Sequence, residues 1–295
     1  MKVLITTDGL LPARASETLI ARLGRRDLDL TVMTVVPALP SDITDRSGAI
    51  RDRMWRGARK VAADASGRLQ ARGLQTRTLL AEGHPGEQIV QAVQRDGYEL
   101  TVLGAGSRSW LHHILLGSTS TFVLHTSPSS VLIVHDVLPE RPKGRILVGF
   151  DASEGAGLAI ETLVGLLDPA RSSVRVMTIA EEPFPPIDFW PMPMGTRPQP
   201  VAAQDARGRR IHEAEGRAGW AAGEIRDAGF QTSSEGDIGH AGVQLLKEAE
   251  SGHFDLVVVG SRGRGPLRRT LLGSVSGQVV RHAGATLVAR RLPSG

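Results

Sequence analysis

The chain of 295 residues contains no cysteine. Without a thiol it forms no disulfide, offers no thiolate nucleophile and holds no cysteine-ligated metal. Aromatic residues make up only 4% of the sequence, and lysine is confined to four positions, which are Lys2, Lys60, Lys143 and Lys247. Arginine therefore supplies nearly all of the positive charge.

Two further absences limit the partners. No apolar run approaches the ~18 residues of a membrane helix, and Asp8 interrupts the first apolar run too early for a signal peptide. The net charge is only +4, and the arginines are scattered among acidic residues without a basic tract. We therefore expect a cytoplasmic protein that binds neither membranes nor nucleic acid.

The sequence repeats itself once. "KVLITTDGL" from Lys2 matches "RILVGFDAS" from Arg145, and "YELTVLGAGSRSWLHHILLGSTS" from Tyr98 matches "FDLVVVGSRGRGPLRRTLLGSVS" from Phe254. Further segments recur in the same order, which indicates a duplicated domain. The proline-containing stretch "DVLPERPKGR" separates the copies. The predicted domains are residues 1–138 and 144–295.

Each copy alternates short apolar runs with longer segments of helical spacing. This pattern predicts an α/β fold in which each copy forms a doubly wound parallel sheet with helices on both faces. If the first and fourth strands of a copy are neighbours, their carboxyl ends meet at one crevice, where ligands bind in such folds. The last strands, "SVLIVHD" and "TLVARRL", would be apolar edges. We expect them to pair within the chain, and we also expect a homo-oligomer.

In the second copy the fourth strand opens the pattern Gly260-x2-Gly263-x9-Gly273-Ser274. Glycines let a phosphate approach backbone N–H groups, and a helix N-terminus favours an anion. Ser274 is predicted to cap that helix, and Ser274 and Ser276 can add hydroxyl donors. Arg262 can add charge, while Asp151, at the end of the first strand, can accept ribose hydrogen bonds.

The duplication, the aspartate after the first strand and this glycine pattern resemble the universal stress protein family, as a tandem pair. The resemblance implies five-stranded sheets of order 3-2-1-4-5, the adenine-nucleotide α-hydrolase-like fold, and binding of ATP. It places Asp151 near ribose and adenine, Ile179 beside the base and Arg262 in the intervening loop. It assigns phosphate contacts to Gly260, Gly263, Gly273, Ser274, Val275 and Ser276. Mg²⁺ is a candidate companion of ATP, with phosphate oxygens supplying much of its coordination.

The first copy departs from the pattern, because Ser107 replaces the second glycine. Either its Cβ blocks close phosphate approach, or Gly106 takes over the turn. The corresponding positions are Asp8, Val35, Gly104, Ser107, Gly117, Ser118 and Ser120. We expect nucleotide chiefly in the second copy.

No residue suggests catalysis or a resident metal. The adjacent His112 and His113 diverge in a strand or a helix, and no general base for ATP hydrolysis is evident. The favoured function is an ATP-binding stress-response or signalling module that switches conformation or partner. The alternatives are a slow ATPase or nucleotide hydrolase, and a scaffold with a vestigial pocket. The proline-rich segment 181–200 is either a surface loop or a lid or partner contact.

Overall fold

The computed structural model describes residues 1–38, 48–105, 116–135, 143–181, 200–263 and 272–290, with the side chains of 200–204 left out. Residues 1–135 are called the first half here, and residues from 143 onward the second half. The sequence predictions for Ser107, for His112 and His113, and for nearly all of segment 181–200 lie outside the described residues.

The first half alternates strands and helices from its first residues. Its elements are β1 (Lys2–Thr6), α1 (Leu11–Leu23), β2 (Asp29–Val36), α2 (Gly48–Gln70), β3 (Thr76–Glu82), α3 (Pro85–Asp96), β4 (Leu100–Ala105), α4 (Ser118–Thr126) and β5 (Ser130–His135).

The second half repeats this order. Its elements are β6 (Arg145–Gly149), α5 (Glu154–Leu166), a 3₁₀ turn (Pro169–Arg171), β7 (Ser173–Ala180), α6 (Pro200–Asp227), β8 (Gln231–Ile238), α7 (Ala241–Ser251), β9 (Leu256–Gly260), α8 (Ser274–His282) and β10 (Ala285–Ala289).

The strands form one ten-stranded sheet, of order β3-β2-β1-β4-β5-β10-β9-β6-β7-β8. Each half thus has the predicted order 3-2-1-4-5, and all pairs within a half are parallel. The halves meet where β5 and β10 pair antiparallel, with Leu132 opposite Leu287. These last strands therefore lie at the centre of the sheet.

The core lies on both faces of the sheet, because the strands are buried on both sides. Val3, Leu4 and Ile5 of β1 are completely buried, as a parallel strand between helices requires. One apolar layer packs under α1, α2, α5 and α6, and the other under α3, α4, α7 and α8. Each layer runs through both halves. Among the described residues, no helix has both the length and the apolar character that a membrane crossing requires.

Candidate functional site

The second-half site lies at the carboxyl ends of β6 and β9. These strands are direct neighbours, with Leu147 opposite Val257, so the predicted adjacency is confirmed. Asp151 comes two residues after β6, and Gly260 is the last residue of β9. Because parallel strands end on the same side of a sheet, both loops enter one crevice.

Asp151 and Gly263 come together in this crevice. A Cβ built on Gly263 would lie 2.7 Å from Oδ2 of Asp151, closer than real side-chain atoms approach. The other carboxylate oxygen, Oδ1, accepts the N–H of Ser153 at 3.0 Å. The half-buried carboxylate is thus fixed through Oδ1, and Oδ2 faces the glycine loop.

Ser153 connects the loops after β6 and β9. Its Oγ accepts the N–H of Ala156, which caps α5, and donates to the carbonyl of Arg262 at 3.3 Å. The sequence prediction missed this residue. A serine immediately before a run of helical periodicity was the available signal. Arg262 is exposed, and its side chain extends from the loop that Ser153 anchors.

The structure corrects the predicted cap of α8. Gly273 is the N-cap, and Ser274 is the first helical residue, so its hydroxyl makes no cap hydrogen bond. The amide of Gly273 donates to the carbonyl of Ser261 at 2.8 Å. This bond holds the start of α8 against the end of β9.

The hydroxyl of Ser276 is engaged within the loop between β9 and α8. Its hydroxyl is 2% exposed and lies 3.2 Å from the carbonyl oxygen of Ser261 and 3.1 Å from that of Gly273. Since a hydroxyl has one hydrogen, these two oxygens already share it. The side chain therefore holds Ser261 and Gly273 together. The backbone N–H of Ser276 remains in the first turn of α8.

The opening of α8 is the electropositive part of the site. The N–H groups of Ser274, Val275 and Ser276 precede the first intrahelical bond, which runs from Gly277 to Gly273 at 2.9 Å. Unpaired amides and the helix dipole together give a helix N-terminus a partial positive charge. The geometry thus places the positive end of the α8 dipole beside the Asp151 loop.

Gly260 packs closely against a helix. A Cβ there would lie 2.6 Å from the carbonyl carbon of Gly155 and 2.9 Å from the amide nitrogen of Ala156. Both atoms belong to the first turn of α5, which therefore lies directly against the end of β9. Gly104 in the first half makes the same close approach to the backbone of Pro12 and Ala13 in α1.

Ile179 lies near the end of β7 and is half-buried. It packs against the same apolar layer as Val275 of α8. This layer gives the crevice an apolar wall on the side of β7, and Val35 of β2 occupies the corresponding position in the first half.

The first-half positions follow the same plan with a more open aspartate. Asp8 is exposed, and its Oδ1 accepts the N–H of Leu10 at 2.9 Å. Gly117 is the N-cap of α4, Ser118 is exposed at its first position, and Ser120 is buried. The described residues contain no group of three or more histidine or acidic side chains able to hold a metal.

The chain resembles known proteins along nearly its whole length. A model of the universal stress protein family matches residues 1–135 and again residues 143–289. The universal stress protein YxiE of Bacillus subtilis is 28% identical over 134 residues, 45% of this chain and 88% of that protein. A universal stress protein of Mycolicibacterium smegmatis is 28% identical over 232 residues, 77% of this chain and 71% of that protein.

The fold has solved counterparts. A universal stress protein from Archaeoglobus fulgidus superposes with a TM-score of 0.68 at 21% identity, covering 99% of this chain and 98% of that one. The protein PA1789 from Pseudomonas aeruginosa gives a TM-score of 0.62 at 16% identity, covering 98% of this chain and 92% of that one. With a family match in both halves, the chain belongs to the universal stress protein family as a tandem pair.

Proposed function

We propose that this chain binds ATP, chiefly in its second half, and acts as a stress-response or signalling module that switches conformation or partner. The observation that carries the proposal is the meeting of three features in one crevice. These are Oδ2 of Asp151, the side-chain-free surface of Gly263 and the amides in the first turn of α8. The carboxylate suits ribose hydroxyls, and the amides suit phosphate oxygens.

The apolar wall beside Ile179 supports the same assignment, because an adenine ring needs an apolar face to pack against. Gly263 carries no side chain beside Asp151, and α8, which begins after Gly273, offers the backbone amides that phosphates would bind. If Mg²⁺ accompanies ATP, the phosphate oxygens would supply much of its coordination.

Switching rather than turnover is favoured by the chemistry of the crevice. Asp151 belongs to the ribose end of the proposed pose, away from the γ-phosphate. A general base must lie within hydrogen-bond reach of the water it activates. We therefore propose that ATP is bound and retained.

The test is calorimetric titration of the full chain with ATP. The wild type is expected to bind one ATP with a measurable affinity. Asp151→Ala should weaken binding at least about tenfold, because it removes a charged hydrogen-bond acceptor. Asp8→Ala is the matched control, since Asp8 is its first-half counterpart, and its affinity should stay close to that of the wild type.

The same protein distinguishes the alternatives. A wild type that binds no ATP would support a vestigial pocket. An equal loss in Asp8→Ala and Asp151→Ala would contradict the second-half preference. Steady-state phosphate release that disappears in Asp151→Ala would favour a hydrolase instead.

A further inference from the structure

A buried polar side chain with several nitrogen atoms lies at each end of the β5–β10 strand pair. His135, the last residue of β5, is 1% exposed, and its N–H donates to the carbonyl of Gly284 at 2.8 Å. Arg290, the residue after β10, is 4% exposed, and its N–H donates to Oγ of Ser130 at 3.2 Å. Both side chains lie between the halves, where buried polar groups need partners.

The ring of His135 joins the two halves. Its Nδ1 lies 3.0 Å from the carbonyl oxygen of Ala105 in β4, and its Nε2 lies 3.1 Å from the carbonyl oxygen of Val280 in α8. A carbonyl only accepts, so the ring donates. A neutral ring carries one N–H and donates to one oxygen at a time, whereas a protonated ring donates to both.

Arg290 makes the reciprocal connection. Its Nη2 donates to the carbonyl of Val123 in α4 at 2.9 Å, and its Nε donates to the carbonyl of Ser129 at 3.2 Å. Within the described part of the chain, its Nη1 has no hydrogen-bond partner. Burial and, to a smaller extent, the positive charge of Arg262 lower the pKa of Arg290 to about 10.

The two contacts are reciprocal at the level of the helices, although His135 and Arg290 are not equivalent positions of the repeat. Val280 lies in the last turn of α8, which begins at the Gly273–Ser274 pair, and Val123 lies in the last turn of α4, which begins at Gly117–Ser118. Each half thus places a polar side chain, from the end of its last strand, within hydrogen-bond distance of the last turn of the other half's glycine-motif helix. Donors stabilise a helix at this end, where the dipole is negative. The carbonyl of Val123 also accepts the N–H of Ser127 at 2.9 Å, so Arg290 is its second donor.

We propose that His135 is a positioning residue for the second-half site, which it reaches through α8. Nine helical residues form a rod about 13 Å long, so a shift at Val280 is transmitted to the amides of Ser274 and Val275. The nucleotide part of this inference rests on the proposed function. Arg290 makes the contact to α4, and the two contacts couple each site to the opposite half.

The test compares three variants of the full chain by hydrogen–deuterium exchange without nucleotide and by ATP titration. His135→Leu introduces an apolar side chain of similar size and removes both ring nitrogens. His135→Gln keeps an N–H donor and is the conservative rescue. Arg290→Met is the matched control, because it removes the donor to Val123 of α4 and leaves the contact of His135 to α8.

In His135→Leu, the amides of α8 should exchange about tenfold faster, the effect of one lost buried hydrogen bond. The amides of α4 should keep their wild-type rate. His135→Gln should restore the rate in α8, and Arg290→Met should accelerate α4 alone. The affinity for ATP should fall in His135→Leu and recover in His135→Gln.

Unchanged exchange of α8 in His135→Leu would overturn the inference, and so would equal acceleration of both helices in both variants. Faster exchange of α8 with unaltered ATP affinity would reduce His135 to a structural role and would also overturn it. A wild type that binds no ATP refutes the proposed function, whereas the exchange rates without nucleotide still decide whether His135 holds α8.

Discussion

Gly263 lies directly against the carboxylate of Asp151, so that a Cβ on the glycine would be 2.7 Å from Oδ2. The two residues are far apart in sequence, and the neighbouring strands β6 and β9 bring them together. This contact requires the second glycine of the motif, Gly263, to lack a side chain, whether or not a phosphate binds.

Gly263→Ala is expected to displace the Asp151 carboxylate. Because a side-chain carboxylate yields more easily than backbone, the cost in stability should be about 1 kcal/mol or less, that of one hydrogen bond. The affinity for ATP should nevertheless fall about tenfold, as for removal of a charged hydrogen bond. Calorimetry measures the affinity, and urea denaturation measures the free energy of unfolding.

A double-mutant cycle gives this prediction its control. If both substitutions act through one contact, the affinity of Asp151→Ala/Gly263→Ala should be no weaker than that of Asp151→Ala alone. Strict additivity would show that Gly263 acts independently of Asp151. Gly157→Ala in α5 is the neutral comparison, because its Cβ would meet no atom within 4 Å.

Gly260→Ala should be destabilising, whether or not nucleotide is present. Its Cβ would press on the backbone of Gly155 and Ala156, which cannot move without shifting α5 from the sheet. Such overpacking costs roughly 1–3 kcal/mol. Gly104→Ala should lose a similar amount, since it would press on the backbone of Ala13. If the Gly260→Ala protein were as stable as the wild type and lost only ATP binding, the packing explanation would be wrong. The phosphate contact expected from the sequence would then explain this glycine.

The fold could be predicted from the sequence because the same pattern of strands and helices occurs twice in the chain. Two copies of the same apolar runs, each ended by the same aspartate or glycine, predict the order of each sheet and the meeting of Asp151 with the β9 loop. Individual roles were less predictable. Gly260 reads like a phosphate-binding glycine, because a requirement for close helix packing produces the same residue as a requirement for close ligand approach.

The contacts between the halves were beyond the sequence for a different reason. His135 follows an apolar strand, and Arg290 is one of many arginines, so neither stands out by type or spacing. Their importance comes from burial at the ends of the β5–β10 ladder and from acceptors more than a hundred residues away in sequence. Periodicity reports which face of an element is buried, but not which distant carbonyl a side chain reaches.

Ser276→Ala and Ser274→Ala form a pair that separates structure from binding. The Ser276 hydroxyl is buried between the carbonyls of Ser261 and Gly273, so its removal should cost about 1–3 kcal/mol of stability. Ser274 is exposed, and its loss should stay within about 0.5 kcal/mol. Thermal and chemical denaturation check both values. The reverse order of stabilities would mean that Ser274 is the cap after all.

Ala152 provides the last prediction, because it has a left-handed backbone with φ of 58°. Gly9, the residue after Asp8, has the same conformation with φ of 81°. A side chain in this region of backbone conformation costs roughly 1–2 kcal/mol of stability. Glycine avoids that strain, but it raises the conformational entropy of the unfolded chain, which offsets part of the gain. Ala152→Gly should therefore stabilise the protein by about 0.5–1 kcal/mol in urea denaturation.

The reverse substitution at the matching position is the control. Gly9→Ala should destabilise by more than about 1 kcal/mol, because it combines backbone strain with a Cβ 3.3 Å from the methyl groups of Val61. A loss of stability in Ala152→Gly, with an unchanged denaturant slope, would contradict the left-handed turn. The turn at Ala152 directs the Asp151 loop toward α5. If Ala152→Gly relieves the backbone strain and the affinity for ATP is unchanged, the strain is not needed for binding.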